Sequence, residues 1–129
     1  MAHKNVETLK RIDAAQQKED MEGFFAEFAG DVVVHVPGTS SLAGEYKGLD
    51  QFQALFGRFA EAAGTYTFEP HSYLADDEHG VTLQRSVYEK GGKRLSTDEV
   101  FLTHFNAAGK VSAIWFVSYD QKGFDEFIG

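Results

Sequence analysis

The second half of the chain consists of four stretches in which apolar or β-branched side chains alternate with polar ones. These stretches cover approximately residues 65–75, 80–90, 94–106 and 110–119. The segments DDEHG, KGGK and NAAG separate them, and such glycine or asparagine clusters between β-rich runs are typical of hairpin turns. The pattern predicts four consecutive antiparallel strands, so the rest of the chain must cover one face of that sheet.

The first half of the chain is predominantly helical. Apolar residues recur at helical spacing within residues 3–18, which predicts a first helix. Asp20 can cap a second helix, which we predict to include Phe28 and to end at Gly30.

Residues 31–60 join a short strand to an aromatic helix. The run VVVHV at 32–36 predicts a strand, and the Pro-Gly pair that follows it stops that strand. After a polar loop, a third helix begins at Gly48 and carries one apolar face. This face holds Leu49, Phe52, Leu55, Phe56 and Phe59. With a short helical turn near 122–128, the element order predicts one α+β domain over residues 1–129, with helices packed on a curved antiparallel sheet.

Composition and charge exclude several classes of protein. The formal net charge of −8 disfavours nucleic acid and anionic membranes as partners, because both require a basic surface. The chain has no cysteine, so disulfides and thiolate chemistry are excluded. The first twenty residues lack the apolar core of a signal peptide. We therefore expect a cytoplasmic protein that binds neither nucleic acid nor membrane.

Three motifs carry a family resemblance. FFAEFAGDVVVHVPG, GEYKG and NAAGKVSAIWFVSYD, in this order, resemble the nuclear transport factor 2-like superfamily and, within it, the SnoaL-like group related to ketosteroid isomerase. The resemblance extends over nearly the whole chain. It implies a cone-shaped fold, in which the curved sheet wraps around helices and encloses a cavity. It also implies a homodimer formed through the outer face of the sheet.

This chain has apolar residues at the positions that carry the proton-transferring and proton-donating side chains in enzymes of this superfamily. Ketosteroid isomerases place an aspartate base before the Pro-Gly corner, where this chain has Val36. The tyrosine and protonated aspartate of their oxyanion hole correspond to Ile12 and Phe101, and the aspartate of the His-Trp-Asp motif in SnoaL-type cyclases corresponds to Phe116. None of these four side chains can transfer a proton or donate a hydrogen bond.

The same positions assign the two faces of the sheet, because side chains alternate across a strand. The predicted ligand-binding residues lining the cavity are Ile12, Val36, Leu55, Phe59, His71, Gln84, Ser86, Tyr88, Phe101, Thr103, Ile114, Phe116 and Ser118. The predicted outer face is apolar and holds Leu83, Val87, Val100, Leu102, Trp115 and Val117. Such a face is typical of an interface, which again predicts a homodimer. A slip of one residue would exchange the faces and direct Arg85 into the cavity.

Histidines are the other candidate chemical groups. His71 is the better cavity candidate because its strand borders the third helix, whereas His35 beside the Pro-Gly corner is expected to have a structural role. No two histidines stand at spacings of two or four residues with a carboxylate to complete a ligand set, so we predict no metal and no cofactor.

Neutral hydrogen-bonding groups among Phe, Ile and Leu suit a largely apolar ligand with a few oxygens. Two classes of function stay open. The first is a small-molecule-binding protein whose physiological ligand is unknown. The alternative is an isomerase, cyclase or hydratase that acts on an apolar carbonyl compound through non-standard residues, for which His71 and Tyr88 are the candidates. The sequence does not decide whether the protein is an enzyme.

Overall fold

One mixed sheet and four helices make up the part of the chain that the structure describes. The computed structural model describes residues 3–129. The elements are α1 (Lys4–Gln17), α2 (Met21–Phe25), β1 (Phe28–Val36), β2 (Gly44–Lys47), α3 (Gly48–Ala63), β3 (Thr65–Ala75), β4 (His79–Lys90), β5 (Lys93–Phe105), β6 (Val111–Ser118) and α4 (Gln121–Ile128). None of these helices combines the length and hydropathy that a membrane crossing requires.

The strands follow the order β2-β1-β6-β5-β4-β3 across the sheet. Strands β3 to β6 form the predicted meander, in which each strand pairs antiparallel with the next. The tight turn between β4 and β5 uses Gly91 and Gly92, which have φ values of +56° and +81° that side-chain-bearing residues rarely adopt. Strand β1 lies parallel to β6 and thereby joins the first half of the chain to the meander.

The second helix is shorter than the sequence predicted. It ends at Phe25, and Phe28 belongs to β1 instead of the helix. The reason is tertiary, because the backbone N–H of Val111 donates to the carbonyl of Glu27 and Phe28 pairs with Val111 on β6. This pairing pulls the residues before Gly30 into the sheet.

The faces of β5 and β6 match the predicted alternation. On β5, Thr103 and Phe105 are buried, whereas Leu102 is 41% exposed and His104 is also exposed. Arg85 on β4 lies on the outer side, where its guanidinium is 3.3 Å from the Asp98 carboxylate. The unslipped register therefore holds, and Arg85 does not enter the interior.

The interior lies between the inner face of the sheet and the helices. The main core joins α1, α2 and α3 to strands β1, β5 and β6. A second cluster at the far end of the sheet packs Phe124 and Phe127 of α4 near Tyr88 and Leu95. Helix α4 thus covers one end of the space that the sheet and the other helices enclose.

Candidate functional site

A cavity of about 80 Å³ lies inside this shell. Most of its lining is apolar and aromatic, from both the helices and the sheet. The apolar lining residues are Ile12, Phe24, Phe28, Val36, Leu42, Phe52, Leu55, Phe56, Phe59, Phe101, Ile114, Phe116 and Phe124. The polar lining residues are Asp13, Gln16, Tyr66, Tyr88 and Glu99.

Glu99 is a carboxyl group buried in this wall. It is 5% exposed and lies on β5, two residues before Phe101. The Ser86 hydroxyl donates to its Oε1 at 2.6 Å, and the Tyr88 hydroxyl donates to its Oε2 at 2.5 Å. Nε2 of Gln84 makes a longer contact of 3.4 Å to Oε1. These donors satisfy a group that would otherwise be costly to bury.

The electrostatics of Glu99 follow from its burial. Burial raises the pKa of its carboxyl group, and the hydrogen bonds from Ser86 and Tyr88 oppose that shift without cancelling it. Burial also raises the pKa of the Tyr66 hydroxyl, and the charges of Glu99 and Asp13 add to the effect. The Tyr66 hydroxyl accepts a hydrogen bond from Nε2 of Gln84, which also contacts Oε1 of Glu99.

Asp13 is the second carboxyl group of the cavity wall. It lies on α1 and is 6% exposed. The Tyr73 hydroxyl of β3 donates to its Oδ2 at 2.7 Å. Burial raises the pKa of Asp13 to about 6, because the Tyr73 hydrogen bond offsets only part of the desolvation. A carboxyl group with this pKa can hold or release a proton near neutral pH.

Eight of the residues predicted to bind a ligand do line the cavity. They are Ile12, Val36, Leu55, Phe59, Tyr88, Phe101, Ile114 and Phe116. Their role in ligand binding stays a prediction.

Four others are buried behind the wall instead of lining it, which corrects the sequence assignment. Gln84 and Ser86 have no exposed surface, because they lie behind Glu99 and Tyr66 and donate hydrogen bonds to them. Thr103 is buried close to Gly80 and Leu9. Ser118 is buried opposite Glu99 on the neighbouring strand.

His71 was wrongly assigned to the cavity. Its side chain is exposed, and it lies in a bulge where Pro70 pairs with Gln84 and Ser72 pairs with Leu83. Phe68 and Pro70 take the inward positions on this part of the strand, which leaves His71 on the outside.

His35, the histidine beside the Pro-Gly corner, also lies outside the cavity. The His35 ring stacks on Trp115 with centroids 4.4 Å apart and an interplanar angle of 3°. Its Nδ1 is 3.4 Å from Oε2 of Glu45. Within residues 3–129, no three His, Asp or Glu side chains group together as a metal site would require.

The sequence contained signals for both missed carboxyl groups. The alternation that directs Phe101, Thr103 and Phe105 inward also directs Glu99 inward when it is extended by one step. On α1, Asp13 follows Leu9 by four residues and therefore shares its face. Charged residues are usually exposed, so these patterns alone predict neither residue as part of the cavity wall.

The family of the chain follows from its match to the SnoaL-like domain over residues 9–114. The chain belongs to the SnoaL-like family. An uncharacterised protein of Mycobacterium tuberculosis strain H37Rv is 30% identical over 112 residues, which cover 85% of this chain and 85% of the relative.

Solved structures agree with this family. Bal32a, from a soil-derived mobile gene cassette, has a TM-score of 0.89 at 32% identity, over 97% of this chain and 96% of its own. A nuclear transport factor 2-like protein of Burkholderia pseudomallei has a TM-score of 0.89 at 19% identity, over 98% of both chains. TerC, crystallised with polyporic acid, has a TM-score of 0.85 at 19% identity, over 96% of this chain and 97% of its own. The predicted superfamily and fold class are confirmed.

Proposed function

We propose that this SnoaL-like protein binds a small, largely apolar molecule in its cavity. The observation that carries the proposal is a cavity of about 80 Å³ with apolar and aromatic walls and a few polar groups. Binding sites for small molecules have this composition, because apolar walls supply affinity and a few polar groups fix orientation. Asp13 and Glu99 would meet the polar end of the ligand.

The TerC structure supports this proposal. TerC was co-crystallised with polyporic acid and shares the fold of this chain at 19% identity. A protein with this fold has therefore been found together with a small organic molecule.

Filling the cavity tests the proposal directly. The Ile114→Trp substitution places a larger side chain in the cavity wall and should abolish binding of isobutanol, measured by ligand-observed NMR saturation transfer. The matched control is Val117→Trp, which makes a similar change on the outer face of the same strand and should retain binding. Equal binding by both variants would contradict the proposal, and so would a wild type that binds no small apolar compound.

A second candidate is proton transfer, which the position of Asp13 favours. A carboxyl group on the cavity wall with a pKa of about 6 is suited to act as a general base. In an isomerase, cyclase or hydratase acting on a carbonyl compound, Asp13 would take the proton next to the carbonyl group. The test is hydrogen–deuterium exchange at the α-carbon of cyclopentanone in D₂O. Exchange should exceed the buffer rate, rise with pH through about 6 and disappear in Asp13→Asn.

We also propose that two copies pair through the outer face of the sheet. Trp115 lies beside Leu102, which lies beside Val81, and Val81 lies beside Leu74, on four successive strands. Leu74 and Leu102 are 60% and 41% exposed. An apolar row of this kind is unusual on the surface of a monomer.

A further inference from the structure

The charged groups of the cavity wall all have the same sign. Among the residues that line it, Asp13 and Glu99 can carry negative charge, and none is a lysine, arginine or histidine. An anionic ligand would therefore meet repulsion without a compensating cation. Within such an apolar wall the repulsion is strong, because water screens it poorly.

One carboxylate oxygen of the cavity wall has no donor in the described part of the protein. Oδ2 of Asp13 accepts from Tyr73, whereas no donor among residues 3–129 reaches Oδ1. Behind the wall, Oε1 of Gln84 is also buried without a partner, because the amide nitrogen of the same group is turned toward Tyr66, Ser86 and Glu99. A ligand that donates hydrogen bonds would satisfy Oδ1 of Asp13, whereas a ligand that only accepts them would not.

Aromatic rings surround the same region. The Phe59 ring lies 5.2 Å from the Tyr66 ring and 6.1 Å from the Tyr88 ring, centroid to centroid. Tyr66 and Tyr88 stack at 4.9 Å, and Tyr88 donates to Glu99. The faces of aromatic rings attract cations, so the rings and the carboxyl groups favour the same kind of ligand.

We infer that the preferred ligand of the cavity is a small lipophilic amine, bound as its ammonium ion between the two carboxyl groups and the aromatic wall. This inference rests on the proposed binding function and adds the charge of the ligand. The hydrocarbon part would pack against the phenyl rings. The ammonium N–H groups would donate to Oδ1 of Asp13 and to the Glu99 carboxylate. If a carboxyl group is protonated in the empty cavity, it becomes a carboxylate when the ligand binds. Its proton passes to the ligand if this enters as the neutral amine, or to solvent if it enters as the ammonium ion.

The test compares three probes that share a branched four-carbon skeleton: isobutylamine, isobutanol and isobutyrate. Binding to the wild type would be measured by ligand-observed NMR titration at pH 7.5 and physiological salt. Isobutylamine should bind about tenfold more tightly than isobutanol, which corresponds to one cation–aromatic contact or charge-assisted hydrogen bond. Isobutyrate should bind more weakly than either.

Matched variants separate the cavity from the acidic surface of the protein. Glu99→Gln keeps the size of the side chain and should remove most of the preference for amine over alcohol. Asp13→Asn is a second variant of the same kind and serves if Glu99→Gln does not fold. Glu61→Gln removes a carboxylate from the exposed surface of α3 and should leave the preference unchanged.

The outcomes distinguish the two proposals. Equal binding of amine and alcohol, or tighter binding of isobutyrate, would overturn the amine inference and leave small-molecule binding intact. A preference for amine that survives both Glu99→Gln and Asp13→Asn would also overturn it, because the cation would then bind elsewhere. Failure of all three probes to bind would overturn the binding function itself.

Discussion

At the scale of single residues, the buried carboxyl group of Glu99 explains why strand β4 carries several buried polar side chains. Ser86 and Tyr88 on β4 donate to its two oxygens, and Gln84 contacts it as well. A buried carboxyl group without such donors would cost several kcal/mol. The neutral polar residues of β4 therefore act as hydrogen-bond donors to Glu99, which is the group that reaches the cavity.

The first prediction concerns a variant that lacks the Glu99 carboxyl group. In Glu99→Ala, the hydroxyls of Ser86 and Tyr88 lose their partner inside the protein, so the free energy of unfolding should fall by about 1–3 kcal/mol. Urea denaturation would measure the change. Glu61→Ala on the surface is the control and should change stability by less than about 0.5 kcal/mol. A Glu99→Ala protein as stable as the wild type would contradict the proposed role of the network.

The second prediction concerns the pH dependence of Asp13. Its pKa rises from 3.8 to about 6 on folding, so the folded state binds this proton more tightly than the unfolded state does. The stability contributed by the group is fully present below the unfolded value and is lost as pH rises through about 6. Relative to Asp13→Asn, the wild type should lose on the order of 3 kcal/mol across this window.

Urea denaturation of both proteins at a series of pH values would check this. The comparison cancels the titration of Glu99 and of surface groups, which both proteins share. A difference in unfolding free energy that stays constant with pH would show that Asp13 titrates normally.

At the scale of elements, two local features decide which residues reach the cavity. The bulge between Pro70 and Ser72 interrupts the pairing of β3 with β4 and leaves His71 outside. The junction of α3 with β3 at Gly64 sets the position of Phe59 and Tyr66, which lie on either side of it. Gly64 has a φ of +69°, and a Cβ at this position would lie 2.4 Å from the carbonyl oxygen of Glu89.

The third prediction uses this junction. Gly64→Ala should destabilise the protein by more than about 1 kcal/mol, because both the positive φ and the close backbone oxygen oppose a Cβ. The matched control is Gly57→Ala inside α3, where a Cβ would meet no atom within 4 Å. This control should stabilise the protein by about 0.5–1 kcal/mol, since glycine is unfavourable within a helix. Thermal and urea unfolding of both variants would test the pair, and equal effects would contradict the prediction.

At the scale of the whole molecule, the sheet separates two apolar regions. Its inner face encloses the cavity, and its outer face presents the row that contains Trp115, Leu102 and Leu74. The outer region has polar edges, because His35 stacks on Trp115 and Arg85 pairs with Asp98. A self-complementary pairing of two such faces would bury the apolar row while the charged groups stay at its rim.

The fourth prediction tests that pairing. The wild type should be a dimer by light scattering, and Trp115→Glu should be a monomer or an aggregate. A buried, unpaired carboxylate costs about 3 kcal/mol or more, which weakens dimerisation by over a hundredfold. Tyr119→Glu is the control, because Tyr119 is 67% exposed and lies beyond the end of β6. A monomeric wild type at high micromolar concentration would contradict the dimer.

The sequence by itself determined the order of the helices and of the four meander strands, and the faces of β4, β5 and β6. The reason is that a period of two residues is a property of the extended backbone, so Phe101 and Leu102 must point to opposite sides. The family resemblance added the enclosed cavity, and it located Ile12 and Val36 on the cavity wall.

Only the tertiary structure decided which polar groups reach the cavity. The inward direction of Glu99 could have been read from the strand, but its burial depends on donors that come from β4, a different strand. The exclusion of His71 depends on a bulge in the pairing of β3 with β4, and the end of α2 depends on β6. Each of these outcomes requires contacts between residues distant in the chain, and a local sequence pattern contains no information about the partner.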